Sequence, residues 1–341
     1  MHRSSSSFQR FPLKASVLVL ALSGATGAMA LENGNQRYSA GIGGSDMTTP
    51  VVPGLYFQAP MVAYHANKIK GNDGKQLTFL NPVAKVEIDT DTYAVLPRLT
   101  YISSHRLLGA HIGVTAMLPI VKRKADFSLI TGNTSVDPSL VAVAAGFSKS
   151  KTGISDLEVS PVMHWEIGDH QSVTFAPTIV MPLGDFKAAD RVNTGFGDYY
   201  TFRPSVQYAF IGDGWDLGGR AVMSFNTRNK DTGYRTGNVF NFDWQAMTFV
   251  SEDIRVGVQG YFVRQLQADT LDSDGTPKNG QARSQLAREQ GSKASVNAIG
   301  PAVAWLKNGG EMLIEAKFVK EFGAKNRTEG QAFWLTVSKP L

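Results

Sequence analysis

Residues 199–211 read YYTFRPSVQYAFI, residues 212–215 read GDGW, and residues 216–228 read DLGGRAVMSFNTR. In the first arm, apolar side chains such as Phe202, Val206 and Phe210 alternate with polar ones, and Arg203 stands in mid-strand. A period of two is the strand period, and the Gly/Asp turn between the arms predicts an antiparallel hairpin. Soluble sheets also have one apolar and one polar face, so the fold depends on whether this pattern repeats.

The pattern does repeat, and the connections alternate in length. Short turns at 104–106, 168–171, 212–214, 251–253 and 307–310 alternate with longer polar connections at 67–91, 122–155, 184–198, 229–237, 268–293 and 323–330. Outer-membrane barrels have short turns at one end and long loops at the other, and a tilted spanning strand needs about 9–11 residues. The sequence therefore predicts an all-β fold, an antiparallel transmembrane outer-membrane β-barrel of about 12 strands, with a range of 10–14. The predicted strands are 55–66, 92–103, 108–121, 156–167, 172–183, 199–211, 215–228, 238–250, 254–267, 294–306, 311–322 and 331–340.

The first thirty residues predict export. Arg3, Arg10 and Lys14 precede a short apolar core at 17–22, and Ala-Met-Ala at 28–30 matches a signal-peptide cleavage pattern. We expect a secretory signal peptide over 1–30, cleaved before Leu31. An irregular periplasmic or plug segment over 31–54 and a barrel over 55–341 follow, with the cell outer membrane as the location.

Composition and motifs argue against several classes of function. The net charge is +5, but removal of three basic leader residues leaves 31 basic and 29 acidic residues, or +2, so nucleic acid is not a predicted partner. The chain has no cysteine, no Gly-rich phosphate loop and no His-Glu-x-x-His or Gly-x-Ser-x-Gly motif. No catalytic residue, cofactor or metal site is predicted, and the chain is not expected to be an enzyme.

Charged residues on the predicted inner faces are the candidate site. Charges inside a barrel must be hydrated or paired, and rings of charge set the selectivity of pores. Two interpretations stay open, a wet lumen lined by charge and a set of structural ion pairs. The lumen-lining candidates are Arg98, Arg203, Arg220, Arg228, Asp243, Arg255, Glu315, Lys317 and Glu321.

Several motifs resemble the bacterial family described as "protein involved in the meta-pathway of phenol degradation". They are Pro53-Gly54-Leu55-Tyr56-Phe57, Asn72-Asp73-Gly74, Leu107-Leu108-Gly109, Glu321-Phe322-Gly323-Ala324-Lys325-Asn326-Arg327, Glu329-Gly330 and Phe333-Trp334. The resemblance spans nearly the whole mature chain. It implies an outer-membrane transporter similar in plan to the fatty-acid and toluene channels, and it brings no catalytic residues.

The leading functional hypothesis is a passive outer-membrane channel for small hydrophobic molecules, aromatic ones among them. Its expected partners are those molecules, outer-membrane lipid and lipopolysaccharide. Prolines at 60, 97, 161, 177, 204 and 301 lie inside predicted strands, where they break the ladder, so cargo could leave through a kinked wall.

Two alternatives remain. One is a structural or adhesion barrel that acts through its surface loops at 122–155 and 268–293. The less favoured one is a membrane-embedded lipid hydrolase using His170-Gln171-Ser172, although that histidine is predicted to lie in a turn. The acidic residues after position 268, beginning with Asp269, are interpreted as a solvated surface loop rather than a calcium site, because calcium-loop spacing is absent.

Overall fold

The computed structural model describes residues 30–34, 36–76, 85–130, 145–146, 148–190, 192–271, 292–308 and 310–341. Of the predicted leader over 1–30, only Ala30 lies within the described residues. Two single-turn 3₁₀ helices, at Glu32–Gly34 and Ser45–Met47, precede the strands. The strands are β1 (Gly54–Lys70), β2 (Lys85–Val95), β3 (Arg98–Leu107), β4 (Ala110–Met117), β5 (Ile120–Ile130), β6 (Lys149–Ile154), β7 (Leu157–Ile167), β8 (Gln171–Met181), β9 (Thr201–Gly212), β10 (Trp215–Asn226), β11 (Val239–Phe249), β12 (Ile254–Gln265), β13 (Ser295–Lys307), β14 (Met312–Lys325) and β15 (Arg327–Pro340).

All the strands belong to one antiparallel sheet that closes on itself. The last strand, β15, pairs with β1 from Tyr56↔Pro340 to Lys70↔Arg327. Closure leaves the backbone groups of both strands paired, as a spanning strand in lipid requires. We call the end of the barrel with the longer connections the long-loop end and the opposite end the short-turn end.

Three strands of the wall consist of two halves each. β1 pairs with β3 at Gly54–Gln58 and with β2 at Met61–Ala66, so β2 and β3 together form one wall strand. The pairs β4/β5 and β6/β7 behave in the same way. The wall therefore has 12 strands, and the predicted outer-membrane barrel class is confirmed.

The two faces of the wall follow the period-two pattern. In the hairpin of β9 and β10, Phe202, Val206 and Tyr208 are 45%, 50% and 45% exposed on the outer face, whereas Arg203 is 2% exposed. A soluble protein would bury that aromatic face, but a barrel in lipid places it against acyl chains. Among the described residues, no helix is long and apolar enough to cross a membrane.

The predicted connection 323–330 was wrong, because β14 continues to Lys325 and β15 begins at Arg327. The predicted connections 67–91 and 122–155 were wrong in part. β1 continues to Lys70, β2 begins at Lys85, β5 continues to Ile130 and β6 begins at Lys149. These segments alternate polar residues with few apolar ones, for example KVEIDTDT from residue 85, so they lack a lipid-facing apolar stripe. They form strands because pairing with neighbouring strands satisfies their backbone hydrogen-bonding groups. They extend the wall beyond the part in which apolar residues alternate with polar ones.

Some prolines coincide with gaps in the ladder, whereas Pro177 and Pro204 stand opposite each other within the continuous pairing of β8 and β9. Pro97 lies between β2 and β3, and Pro119 lies between β4 and β5. Pairing between β7 and β8 is absent from Ser160 to Val162, around Pro161, and pairing between β13 and β14 skips Pro301. Because proline cannot donate to a ladder, these interruptions are expected at such positions.

Candidate functional site

The N-terminal segment, described at residues 31–34 and 36–53, lies inside the ring of strands. At the long-loop end, Leu31 N donates to Asp269 Oδ2 at 2.9 Å. Near the short-turn end, Gln207 Nε2 of β9 donates to Met47 O at 2.7 Å, and Gln245 Nε2 of β11 donates to Thr48 Oγ1 at 3.0 Å. The segment therefore runs along the barrel interior from one end to the other before it enters β1.

Charged side chains of the wall hold the middle of this segment by its backbone. Asp243 accepts hydrogen bonds from Gly41 N at 2.9 Å and Tyr38 Oη at 2.6 Å. Glu315 accepts from Ser45 N at 2.6 Å, and Lys317 Nζ donates to Gly43 O. An irregular segment buried in a lumen has backbone groups without ladder partners, and these wall charges supply partners for them.

Glycines allow this close approach. A Cβ on Gly44 would lie 2.0 Å from Glu315 Oε1, and a Cβ on Gly43 would lie 2.9 Å from Met47 Sδ and 3.0 Å from Asp243 Cβ. Gly41 has a φ of +84°, in the left-handed region that favours glycine. The GIGG run at 41–44 therefore fits the segment to the wall.

A second group of charges surrounds Asp46. Its Oδ2 lies 3.4 Å from Arg98 Nη1 and 3.3 Å from Arg220 Nη2. Arg98 also donates to Gln58 Oε1 at 3.0 Å, and Arg220 donates to Gln207 Oε1 at 2.8 Å. Asp46 thus bridges two arginines that stand on different strands.

Further pairs lie near each end of the lumen. Arg255 forms an ion pair with Asp216, which also accepts a hydrogen bond from Gln245 Nε2 at 2.6 Å. Towards the long-loop end, Glu321 lies 3.0 Å from Arg327 Nη2 and accepts a hydrogen bond from Tyr261 Oη at 2.8 Å. These pairs are buried, so each charge is matched by its partner rather than by water.

The structure places most of the predicted lumen residues on the inner face. Arg203, Asp243, Arg255, Glu315, Lys317 and Glu321 are at most 3% exposed. The side chains of Arg98 and Arg220 are 15% and 14% exposed. Arg228 stands apart, because it donates to Gly233 O at 2.7 Å in the connection between β10 and β11. The wall residues thus form contact groups with the N-terminal segment rather than one continuous ring of charge.

Between the N-terminal segment and one side of the wall lies a cavity of about 220 Å³. Hydroxyl and amide groups of β3, β4, β7, β8 and β9 line it, together with the three arginines Arg98, Arg203 and Arg220. Arg203 is matched by Glu158 at 2.8 Å. Apolar patches come from side chains such as Ile42 and Val162. The cavity is amphipathic and large enough for a small organic molecule.

A smaller cavity of about 70 Å³ adjoins the interrupted part of the wall. Ser39 and Glu158 line both cavities. Leu96, Pro119 and Asp156, which stand at the three breaks between strand halves, also line the smaller one. The smaller cavity therefore lies beside the larger one and borders the breaks.

Beside the third break, β6 has no strand partner on its second edge among the described residues. The described residues of 182–198, which are 182–190 and 192–198, fill this place through side-chain contacts. Gly184 N donates to Asp156 Oδ1 at 2.9 Å, and Arg123 Nη1 donates to Asn193 O at 3.0 Å. We call the boundary between β6 and residues 182–198 the seam. Its contacts come from side chains and turns, whereas the rest of the wall is held by ladder hydrogen bonds.

Arg37 links the N-terminal segment to this seam. Its Nε donates to Asp156 Oδ2 at 2.8 Å, its Nη1 donates to Tyr199 O at 2.8 Å, and its guanidinium lies 4.1 Å from the centre of the Tyr199 ring. Arg37, Asp46 and Asp156 are site residues that the sequence pattern did not predict. Their only sequence signal is a charge in an irregular stretch that has few charges, or a charge between two strand patterns.

Asp269 was also misjudged. The sequence interpretation as part of a solvated loop is wrong for this residue, because Asp269 is 3% exposed. The N-terminal segment covers it, and a contact over more than 200 positions leaves no local pattern. The later residues of that acidic stretch lie outside the described part of the chain.

Comparison with known proteins identifies one family and several solved structures with similarity to this chain. Residues 66–337 match the model of the family described as "Putative MetA-pathway of phenol degradation". The COG4313 outer membrane channel from Pseudomonas putida F1 has a TM-score of 0.67 at 10% identity, covering 88% of this chain and 99% of that one. At this identity the similarity shows the fold alone.

Weaker structural matches include a Pseudomonas aeruginosa FadL homologue, with a TM-score of 0.39 at 9% identity and coverage of 94% and 97%. The translocator domain of the autotransporter NalP from Neisseria meningitidis has a TM-score of 0.47 at 9% identity and coverage of 87% and 92%. No curated protein matches the sequence significantly.

Proposed function

The chain belongs to the phenol meta-pathway family, and we propose that it is a passive outer-membrane channel for small hydrophobic molecules, aromatic compounds among them. A closed 12-stranded wall with an internal cavity supports a transport role. The Pseudomonas putida structure with the same fold is described as an outer membrane channel. On this proposal the protein carries out no catalysis, and its partners are the cargo, outer-membrane lipid and lipopolysaccharide.

The observation that carries the proposal is the seam. Every other strand boundary of the wall is a backbone ladder, whose many hydrogen bonds must break together for the wall to open. At the seam a few side-chain contacts hold residues 182–198 in place, and they come from Lys151 of β6, Arg123 of β5 and Asp156 at the break. Opening it costs fewer backbone hydrogen bonds, so cargo leaves the lumen sideways there.

At the end that meets the break between β6 and β7, the seam borders the apolar part of the wall. Ile120 and Ile154, which pair across β5 and β6, are 50% and 44% exposed, and Leu183 is 54% exposed. Apolar side chains on the outer face mark the level of the hydrocarbon core. A hydrophobic molecule that passes the seam therefore enters lipid without crossing the charged outer leaflet.

In this proposal the N-terminal segment is a plug, and the lumen-lining charges hold it. The larger cavity accepts cargo beside the plug, and the smaller cavity leads it to the seam. Arg37 belongs to the plug and contacts Asp156, so movement of the plug and opening of the seam are mechanically linked.

The test is an engineered disulfide across the seam, which we call the seam staple. A Cβ on Gly153 would lie 3.8 Å from Thr194 Cβ, which is the usual Cβ separation in a disulfide, and the chain has no cysteine of its own. We expect Gly153→Cys with Thr194→Cys, when oxidised, to abolish uptake of a fluorescent hydrophobic probe by cells that depend on this protein. Reduction of the disulfide should restore uptake.

A second disulfide cross-link distinguishes the role of the plug from that of the seam. A Cβ on Gly218 would lie 3.5 Å from Met47 Cβ, so Met47→Cys with Gly218→Cys ties the plug to β10. We expect this staple to lower ion conductance, and the seam staple to leave conductance unchanged. Uptake that is equal in the oxidised and reduced seam-stapled protein rules out the lateral route. Equal uptake with and without the protein, over a panel of hydrophobic compounds, rules out the channel itself.

A further inference from the structure

The backbone nitrogen of Leu31 faces a buried carboxylate. It lies 2.9 Å from Asp269 Oδ2, and both residues are at most 3% exposed. Leu31 is also the residue that follows the predicted cleavage pattern Ala-Met-Ala at 28–30. Sequence and structure thus point independently to the same nitrogen atom.

Asp269 has a complete set of donors but no cation among the described residues that contact it. Tyr234 Oη and Gln265 Nε2 donate to it, and Gly237 N does so at 2.8 Å. A nearby acid, Glu32, is in the same situation, because Asn229 Nδ2 at 2.9 Å and Thr232 Oγ1 at 2.5 Å are neutral donors. Two buried carboxylates at one end of the lumen therefore lack a positive partner in the described part of the chain.

Burial affects the acid–base behaviour of both groups. It raises the pKa of the Asp269 carboxyl, and it raises the pKa of Glu32 to about 7 although hydrogen bonds from Asn229 and Thr232 oppose this. A buried carboxylate without a cation is costly, and an ion pair with good hydrogen bonds removes most of that cost. A cation at this position would fit the pocket.

We propose that removal of the leader supplies this cation, and that the new α-ammonium group of Leu31 is bound by Asp269 as a buried ion pair at the long-loop end of the barrel. The bond that breaks is the Ala30–Leu31 peptide, which water hydrolyses during export, and the freed nitrogen takes up a proton. A charge-assisted hydrogen bond to a carboxylate is shorter and stronger than the hydrogen bond from the neutral Leu31 amide nitrogen that it replaces. The pocket then anchors the free end of the N-terminal segment.

This inference does not rest on transport, and it is tested by stability. Two forms of the protein are refolded in detergent micelles, one that begins at Leu31 after scarless tag removal and one that keeps residues 27–30. Asp269→Asn is introduced into both, with Asp73→Asn as the control, since the Asp73 side chain is 61% exposed in a connection of the same end. The readout is the equilibrium constant of unfolding in guanidinium.

We expect Asp269→Asn to raise the unfolding constant at least about tenfold more in the form that begins at Leu31, which corresponds to one pKa unit of interaction. Asp73→Asn should act equally in both forms. An equal effect of Asp269→Asn in the two forms overturns the proposal.

Two measurements need no substitution. Mass analysis of the protein exported by cells should give a chain that begins at Leu31, and a different first residue overturns the proposal. In the unmutated form that begins at Leu31, we expect an amine-reactive reagent at neutral pH to label the α-amine at least about tenfold more slowly when the protein is folded than when it is unfolded. Equal rates overturn the proposal as well.

Discussion

The carboxylate of Asp156 lies 2.6 Å from Nη2 of Arg37, and both side chains are at most 4% exposed. Asp156 stands at the break between β6 and β7, and Arg37 belongs to the N-terminal segment. The second oxygen of Asp156 accepts the hydrogen bond from Gly184 N. One carboxylate therefore joins the lumen segment, the broken wall strand and residues 182–198.

Asp156→Asn removes the charge that Arg37 faces. Breaking one partner of a buried ion pair typically costs about 3–5 kcal/mol, because the other charge stays buried without compensation. We expect the N-terminal segment to loosen and the single-channel conductance in a planar bilayer to rise at least severalfold. The unfolding midpoint should also fall.

The control for this experiment is Asp213→Asn, in the exposed turn between β9 and β10. It removes the same charge from the chain without touching the lumen. Conductance that stays at the parent level in Asp156→Asn would show that Arg37 does not hold the segment in place.

Substitutions of Arg220, on β10, and of Arg228, two residues after β10, should have different effects on ion selectivity. Arg220 lines the larger cavity and contacts Asp46, so Arg220→Gln should reduce anion permeability relative to cation permeability. Arg228 contacts the backbone of the connection after β10, so Arg228→Gln should change selectivity little. Reversal potentials in a salt gradient measure both.

The substitution Asp46→Asn sharpens the same test. It leaves Arg98 and Arg220 without the carboxylate that bridges them, so anion selectivity should increase. If neither Arg220→Gln nor Asp46→Asn shifts the reversal potential, ions do not pass through this cavity.

Gly44→Ala should displace the N-terminal segment. The new methyl group would lie 2.0 Å from Glu315 Oε1, so either the carboxylate or the segment must move. Overpacking of this kind typically costs about 1–3 kcal/mol. We expect a higher conductance and a lower unfolding midpoint. Gly146→Ala is the matched control, since a Cβ there would meet no described residue within 4 Å, and it should leave both quantities unchanged.

The sequence alone predicts the wall well, for a physical reason. Lipid requires apolar side chains on alternate positions, so strands such as β7 and β12 carry a period of two that can be counted without a structure. The halves β2, β5 and β6 carry no such stripe because they are largely polar on both faces. Strand number was therefore predictable, whereas the long-loop end of the wall was not.

Of the site residues, only those on the strands of the wall were predictable from the sequence. Asp243, Glu315 and Lys317 are charges in alternating strands, and their inward position follows from the pattern. Asp46 and Arg37 stand in an irregular segment without periodicity, and the sequence leaves open whether that segment is a tail or a plug. The contacts of Arg37 with Asp156 and of Asp46 with Arg220 span more than 100 positions, and such pairings depend on the closed barrel rather than on local sequence.

Glu32 gives the protein form that keeps residues 27–30 a distinctive pH dependence. Burial raises its pKa from 4.5 to about 7 in the folded chain, so between these values the folded protein binds more protons than the unfolded one. The free energy of unfolding should therefore fall as pH rises from about 4.5 to about 7, by up to about 3 kcal/mol. Guanidinium unfolding at a series of pH values measures the slope.

Glu32→Gln should remove this part of the slope, whereas Glu252→Gln, in the exposed turn after β11, should keep it. In the form that begins at Leu31, the adjacent α-ammonium group favours the ionised carboxylates of Glu32 and Asp269, so the decline with pH should be smaller. Identical slopes in Glu32→Gln and the parent would mean that this carboxyl keeps an ordinary pKa. Identical slopes in the two forms of the parent would place the α-amine away from both acids.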